Sequence, residues 1–271
     1  MTMKEKLADF TKQGKALLAV NFYNFETLKG LLLAAKETNS NLILQLSESS
    51  LHYLGIEPAI AMARAMIKEF NVEGWVHLDH GGSINVVQKC LDAGFDSVMI
   101  DASEKSFEEN VRITKEAVKI AANYNANVEA ELGYIAKLNQ SQTIEPTSAE
   151  DAKNFVESTG INALAVAIGN AHGFYKETPK LRLDRLIEIR AVTQCALVLH
   201  GSSGIPDDQL QEAIRCGISK INLATETKNA FMKKLQSLLA DNDEIDLRKI
   251  FPKAIDEVKE LIVKKLKVIN A

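Results

Sequence analysis

The chain has 271 residues, and its 32 basic and 36 acidic side chains give a formal net charge of −4. Hydrophobic residues make up 46% and charged residues 25%, which is typical of a globular protein and excludes disordered and fibrous classes. The mild acidity and the lack of an apolar run of about 18 residues argue against nucleic-acid and membrane partners. Because the N-terminus has no apolar signal core, we expect a soluble, cytoplasmic protein.

Short apolar runs alternate with longer segments of helical spacing along the whole chain. The runs are rich in Val, Ile, Leu and Ala, as in buried parallel strands, and lie at 16–22, 42–47, 74–80, 97–102, 126–133, 163–168, 196–201 and 220–225. Between them, apolar residues recur at helical spacing, as at 107–124. Eight strand–helix units predict an α/β fold, a closed (β/α)₈ TIM barrel, with residues 1–271 as one domain and closing helices from Leu247 onward.

Polar side chains gather where the predicted strands end, the edge at which such barrels carry their chemistry. Three of the five histidines, His80, His172 and His200, fall there. Three imidazoles with one open position are a typical ligand set for a catalytic Zn²⁺, although they could instead bind loop carbonyls. Asp79 is expected to take a proton from a carbon next to a polarised carbonyl, or alternatively to orient a histidine. His77, inside the third strand, is expected to be structural.

Glycine-bearing turns follow the last two predicted strands, where this fold usually binds phosphate. The segment HGSSG at 200–204 leads into a helix start at Pro206, and it offers backbone amides and hydroxyls to an anion. Asn222 and Thr225 precede the last long helix and would complete the cradle. Lys176 either adds a positive charge or is solvated.

Seven segments together make the chain similar to the class II, zinc-dependent ketose-bisphosphate aldolases, such as the fructose- and tagatose-bisphosphate aldolases. The resemblance covers essentially the whole chain. It implies an enzyme that cleaves a phosphorylated ketose into dihydroxyacetone phosphate and an aldehyde such as glyceraldehyde 3-phosphate, and that forms a homodimer or homotetramer. The segments are VNFYN at 20–24, HLDHG at 77–81, SVMIDAS at 97–103, VEAELG at 128–133, AIGNAHGFYK at 167–176, LVLHGSSGIP at 197–206 and KINLATE at 220–226.

The resemblance also implies roles for individual residues. His80, His172 and His200 would hold the zinc, and Glu131 would reach it in an alternative position. Asp79 would remove the proton next to the carbonyl of dihydroxyacetone phosphate. A monovalent cation, Na⁺ or K⁺, would lie near the phosphate. The implied phosphate and substrate contacts are Gly173, Lys176, Gly201, Ser203, Asn222, Thr225, Asn21 and Ser47.

Two departures from the family keep other functions open. The connection at 133–147, expected to be mobile, lacks the glycine-rich sequence and glutamate of relatives; Asn139 stands about where that acid would be, and Glu145 could substitute for it. Ala224 stands where fructose-type enzymes often carry Asp. The alternatives are an aldolase acting on a modified ketose 1-phosphate and a non-catalytic aldolase-like subunit. A metal-dependent hydrolase would carry a His-x-His pair on strand one, where this chain has no histidine. A Schiff-base aldolase would form a lysine adduct that borohydride traps.

Overall fold

A computed structural model describes residues 1–133, 135 and 146–271, and these form a closed barrel of eight parallel strands. Each strand pairs with the next along the chain, and the last pairs with the first, which confirms the predicted (β/α)₈ barrel. The strands are β1 (Leu17–Asn21), β2 (Leu42–Ser47), β3 (Gly74–Gly81), β4 (Ser97–Ile100), β5 (Asn127–Leu132), β6 (Ala163–Val166), β7 (Ala196–Leu199) and β8 (Ile218–Leu223).

Helices cover the outside of the barrel, and each apolar helix face packs on the strands. Several of these helices begin at a capping residue. Ser148, for example, accepts a hydrogen bond from the amide of Asp151 at the start of a helix. No helix in the described residues is both long and apolar enough to cross a membrane. The helices are α1 (Met3–Gln13), α2 (Phe25–Thr38), α3 (Glu48–Leu54), α4 (Ile56–Phe70), α5 (Ile84–Asp92), α6 (Phe107–Ala122), α7 (Ala149–Thr159), α8 (Leu183–Val192), α9 (Asp207–Arg215), α10 (Thr225–Leu239) and α11 (Leu247–Ile269).

The closing element predicted from Leu247 onward is the long helix α11, which packs against α2. The contact is close because Gly30 of α2 has no side chain. A Cβ at that position would lie 2.8 Å from Cγ1 of Val258. A small residue at this point therefore lets the last helix of the chain lie directly on one of the first.

Apolar side chains close one end of the barrel. Met3 and Leu7 of α1 belong to the same buried cluster as Leu17, Ile43 and Met99 of the strands. This plug lies at the N-terminal ends of the strands. The opposite end, where strand-end side chains gather, is therefore the end left for chemistry.

The barrel interior also contains a layer of buried polar side chains. Gln45 of β2, His77 of β3 and Glu129 of β5 belong to this layer. Because side chains alternate between the two faces of a strand, the residues two positions further along point the same way and lie at the rim: Ser47, Asp79 and Glu131. His77 lies within the buried layer, with Nδ1 2.6 Å from Oγ of Ser97, and is a bonded interior residue as expected. The layer consists of Gln45, His77, Ser97, Asn127, Glu129 and Lys220.

Candidate active site

At the end of β3 the backbone turns so that two consecutive side chains face one site. His80 adopts a left-handed conformation with φ 52°, and the pairing of β3 with β4 shifts register between Leu78 and Gly81. An irregularity of this kind re-aims a side chain. Oδ1 of Asp79 consequently lies 3.9 Å from Nε2 of His80, and both residues contribute to the same site.

The three predicted histidine ligands come together at the rim with a carboxylate. His80, Glu131, His172 and His200 each offer a ligand atom within 4.8 Å of the other three. The ring centroid of His80 lies 4.7 Å from that of His200 and 5.0 Å from that of His172. Three imidazoles and one carboxylate are donors that Zn²⁺ takes in catalytic sites. We refer to these four residues as the metal group.

Two observations test whether the metal group fits a zinc ion. Oε1 of Glu131 accepts from the amide of Ile135 at 3.0 Å, whereas its buried Oε2 has no hydrogen-bond partner in the described part of the chain. Burial, followed by the charge of Asp101, raises the pKa of Glu131 to about 8. Nε2 of His80 and Nδ1 of His200 are 3.0 Å apart. Two nitrogens on one tetrahedral zinc, with Zn–N bonds of about 2.0–2.1 Å, would be ~3.3 Å apart, so the residues fit the ion.

Asp101 fixes the orientation of His80. Its Oδ2 lies 2.7 Å from Nδ1 of His80, and its Oδ1 accepts from the amide and hydroxyl of Ser103. Burial lowers the pKa of His80, but the charge of Asp79 and the hydrogen bond to Asp101 outweigh burial and raise the pKa to about 9. Because Nδ1 is bonded to Asp101, Nε2 is the ring nitrogen that faces the metal group. Asp101 was not among the predicted site residues, although its place at the end of β4 was the available signal.

Asp79 is a buried carboxylate surrounded by amide donors. Its Oδ2 accepts from Nδ2 of Asn21 at 2.8 Å, and its Oδ1 accepts from Nε2 of Gln45 at 3.1 Å and from Nδ2 of Asn222 at 3.3 Å. Burial raises the pKa of Asp79, but the neighbouring histidines, with His80 first, and the amide donors bring it below its ordinary value. The side chain is thus a charged acceptor beside the metal group, as a general base requires.

A small cavity beside the metal group is enclosed by glycine-bearing turns and the start of α10. Gly201 has φ 63°, and a Cβ there would collide with the carbonyl oxygen of Ala171, so the turn requires glycine. Oγ of Ser203 accepts from the amide of Glu226 at 3.2 Å, which ties this turn to the first turn of α10. A helix N-terminus with small neighbours suits a phosphate. The predicted contacts that line it are Asn21, Gly173, Gly201, Ser203, Asn222 and Thr225.

The structure does not bring Lys176 to this cavity. Its side chain is exposed and is not among the residues lining either cavity of the site. The neighbouring Tyr175 points inward, where its hydroxyl accepts from the amide of Ala171 at 2.7 Å and donates to the carbonyl of Gly201 at 2.9 Å.

A larger cavity of about 770 Å³ opens in front of the metal group. Asn21 and Ser47, both predicted substrate contacts, line it. Two lysines outside the predicted site residues, Lys105 and Lys228, also line it, and Nζ of Lys228 lies 5.3 Å from the ring centroid of Tyr23. Lys228 is one helical turn beyond Thr225, and that spacing could have identified it.

The loop chemistry considered for 133–147 lies mostly outside the described residues. Asn139, which stands where relatives carry an acid, and Glu145, its suggested substitute, both belong to the part that is not described. Gly133 and Ile135 are described, and the amide of Ile135 binds Glu131. The expectation that this connection is mobile stays a prediction.

Comparison with known proteins agrees with this geometry. Residues 1–271 match the family model described as fructose-bisphosphate aldolase class-II. A fructose-bisphosphate aldolase of Geobacillus stearothermophilus is 39% identical over 274 residues, covering 98% of this chain and 96% of the relative. One of Helicobacter pylori (strain J99) is 36% identical over 290 residues, covering 96% and 94%. Among solved structures, the YdjI aldolase of Escherichia coli K12 is similar with a TM-score of 0.87 at 33% identity, covering 99% of this chain and 96% of that one.

Proposed function

Because the chain belongs to the class II fructose-bisphosphate aldolase family, we propose that it cleaves a phosphorylated ketose of the fructose or tagatose 1,6-bisphosphate type. The products would be dihydroxyacetone phosphate and an aldehyde such as glyceraldehyde 3-phosphate. The observation that carries the proposal is the metal group next to the charged Asp79 at the open end of the barrel.

Zinc is the proposed cofactor, held by His80, His172 and His200. It would polarise the ketone carbonyl and stabilise the negative charge that develops there. Glu131 is proposed as a ligand in an alternative position. Its buried Oε2, which has no hydrogen-bond partner among the described residues, supports this role. Three imidazoles with one carboxylate nearby leave room in the coordination sphere for the substrate.

Asp79 is proposed to move the proton at the carbon next to the carbonyl. In the condensation direction it takes that proton from dihydroxyacetone phosphate, and in the cleavage direction it returns it. The amide donors Asn21, Gln45 and Asn222 support this role, because they stabilise the charged form without supplying a competing acidic proton.

The small cavity is proposed to hold the phosphate of the ketone half. The start of α10 and the Gly201–Ser203 turn supply backbone amides and a hydroxyl there, with Gly173, Asn222 and Thr225 completing the wall. A monovalent cation, Na⁺ or K⁺, is proposed beside this phosphate, and Lys176 would contribute charge only from the surface. Asn21 and Ser47 would contact the remainder of the substrate in the larger cavity.

The assembly and location of the protein are also proposals. Apolar side chains on α10, Met232 and Leu239, are each about half exposed, and Ile245 beyond the helix is 91% exposed. Apolar surface of this kind suits a homodimer or homotetramer. We also propose that the one-domain chain 1–271 acts in the cytoplasm. Light scattering on the purified chain would determine the number of subunits.

The second candidate is an aldolase acting on a modified ketose 1-phosphate. Ala224, which lines both cavities, favours it, because fructose-type enzymes often carry a carboxylate there. A zinc-supplemented cleavage screen over fructose and tagatose bisphosphates and modified ketose 1-phosphates, read by released dihydroxyacetone phosphate, distinguishes them. We expect the highest kcat/KM for a bisphosphate. No release from any of these ketoses would contradict the proposed activity and would favour a non-catalytic subunit.

A further inference from the structure

We propose that Lys220 and Glu129 are positioning residues that hold His200 in the tautomer able to bind the metal. The inference rests on the zinc site proposed above and adds two residues to it. Both lie in the buried polar layer inside the barrel, one layer below the rim, and both are fully buried. Neither touches the cavities of the site, so they act through His200.

The contacts of His200 select one of its two tautomers. Its Nε2 lies 2.8 Å from Oε1 of Glu129, and its Nδ1 lies 3.0 Å from Nε2 of His80 in the metal group. An ionised carboxylate only accepts hydrogen bonds, so Nε2 must carry the proton and Nδ1 must carry the lone pair. Nδ2 of Asn222 lies 3.1 Å from Nε2 and 3.4 Å from Nδ1, which discriminates far less between them.

Lys220 holds Glu129 in the orientation that makes this selection. Its Nζ donates to Oε2 of Glu129 at 2.8 Å, and both side chains are fully buried. This bond fixes the carboxylate so that its other oxygen, Oε1, stays within hydrogen-bond distance of Nε2 of His200. Without Lys220 the carboxylate can rotate away, and the imidazole proton can then move to Nδ1, the nitrogen that faces the metal group.

Asp79 also acts on His200 through its charge, but among the described residues Glu129 is the carboxylate within hydrogen-bond distance of Nε2 of His200. Nε2 of His77 lies 3.4 Å from Nζ of Lys220 and 3.8 Å from Oε2 of Glu129. Burial, and then the charge of Lys220, hold the pKa of His77 well below its ordinary value, so His77 is neutral and accepts from Lys220. Buried ion pairs contribute little net stability compared with apolar side chains of similar size, so positioning is the better account of this one.

The primary variant is Lys220→Met, which removes the cation and keeps the side-chain length. We expect a 10- to 100-fold weaker affinity for zinc, the usual effect of removing groups that orient a ligand. Zinc affinity is measured by competition with a chelator of known strength. The tautomer of His200 is measured by ¹⁵N NMR on metal-free, histidine-labelled protein, in which only five histidines contribute signals.

A second variant covers the case in which Lys220→Met fails to fold. The double substitution Glu129→Leu with Lys220→Met replaces both buried charges by apolar side chains, an exchange that folded proteins tolerate. It removes the acceptor at Nε2, and we expect the same loss of zinc affinity. Ser97→Ala is the matched control: Ser97 lies in the same buried layer but reaches Lys220 only through His77, so zinc affinity should stay within about twofold of wild type, well short of the loss expected for an orienting group.

The outcomes separate this inference from the zinc site itself. It requires the Nε2-protonated tautomer of His200 in wild type, an Nδ1-protonated population in Lys220→Met, and weaker zinc binding in both variants. Unchanged zinc affinity in both variants, or an Nδ1-protonated His200 in the wild type, would overturn it. A wild type that binds no zinc would instead contradict the proposed metal site.

Discussion

Two carboxyl groups at the barrel rim, those of Asp79 and Glu131, have different pKa values because their neighbours differ. Asp79 accepts from three side-chain amides, and its pKa lies below the ordinary value despite burial. Glu131 is equally buried, but the charge of Asp101 acts on it as well, and its pKa is raised to about 8. Pairs of acids whose environments push their pKa values apart commonly divide the work of a site. Asp79, which is held in its charged form, is suited to act as a base. Glu131 needs a nearby positive charge to ionise at neutral pH, and a bound cation would supply that charge.

The role of Asp79 can be tested at the level of one proton. We expect Asp79→Asn to keep its zinc, because Asp79 is outside the metal group, and to lose exchange of the dihydroxyacetone phosphate proton with solvent deuterium by about 10²–10⁴-fold. Proton NMR of the substrate in D₂O measures this exchange. Asp92→Asn, an exposed change at the end of α5, is the control and should exchange normally. Exchange at the wild-type rate in Asp79→Asn would exclude the residue as the base.

The histidine set can be tested by metal content. His172→Ala removes one of three imidazole donors, so the purified variant should lose on dialysis the zinc that the wild type retains. His52→Ala changes an exposed histidine on α3 and should leave the zinc content unchanged. Elemental analysis and far-UV circular dichroism together show whether metal is lost from a folded barrel. Full zinc occupancy in His172→Ala would remove this residue from the ligand set.

At the level of the elements, the turn after β7 must approach the segment after β6 closely to form the phosphate cavity. Gly201 makes this approach possible, since a Cβ would meet the carbonyl oxygen of Ala171. Gly160, at the end of α7, has a similar φ of 71° but open space around its Cβ position. Alanine at Gly160 therefore measures the loss of stability caused by a left-handed backbone alone. Alanine at Gly201 adds the loss caused by a steric collision.

Gly201→Ala should be less stable than Gly160→Ala by about 2 kcal/mol, because both strain the backbone but only the first must also displace a carbonyl. Thermal and urea unfolding of the two variants measure the difference. We also expect a higher KM for Gly201→Ala alone, since the turn that contacts the phosphate has to move. Equal stability and equal KM in the two variants would mean that the close approach does not matter.

The first turn of α10 also presents Lys228 to the larger cavity. If it binds the far phosphate of a bisphosphate, Lys228→Met should raise KM for the bisphosphate about tenfold, the effect of one charge-assisted hydrogen bond of ~1.5 kcal/mol. KM for a ketose 1-phosphate should hardly change. Lys233→Met, on the same helix but outside the cavity lining, is the control. An equal rise in KM for both substrates would mean that Lys228 does not act through the far phosphate, which only the bisphosphate carries.

At the scale of the whole molecule, the barrel and most of its rim could be predicted from the sequence. Parallel strands in a closed barrel bring their carboxyl ends to one edge, so residues far apart in the chain, such as His80 and His200, were expected to meet. The adjacent Asp79 also faces the site because the backbone turns at His80. The sequence only suggested this turn, by placing both residues at the end of a predicted strand.

The rest depended on distances that a linear pattern does not contain. The ion pair of Lys220 and Glu129 was not predicted, because it joins β8 to β5 across the barrel interior, and these strands are neighbours neither in the chain nor in the sheet. Lys228 was missed because the position of α10 over the cavity follows from the closed barrel. Lys176 was expected either to add charge at the phosphate or to be solvated, and its side chain is exposed.

The central claim is that an ion held by His80, His172 and His200 is required for carbon–carbon cleavage, and removal and return of zinc tests it most directly. We measure cleavage of the preferred ketose phosphate by chelator-treated protein, before and after adding one equivalent of zinc, with borohydride present in parallel samples. We predict no cleavage without zinc, recovery with it, an unchanged circular dichroism spectrum, and no lysine adduct. Cleavage by the zinc-free protein together with a borohydride-trapped lysine would contradict the account.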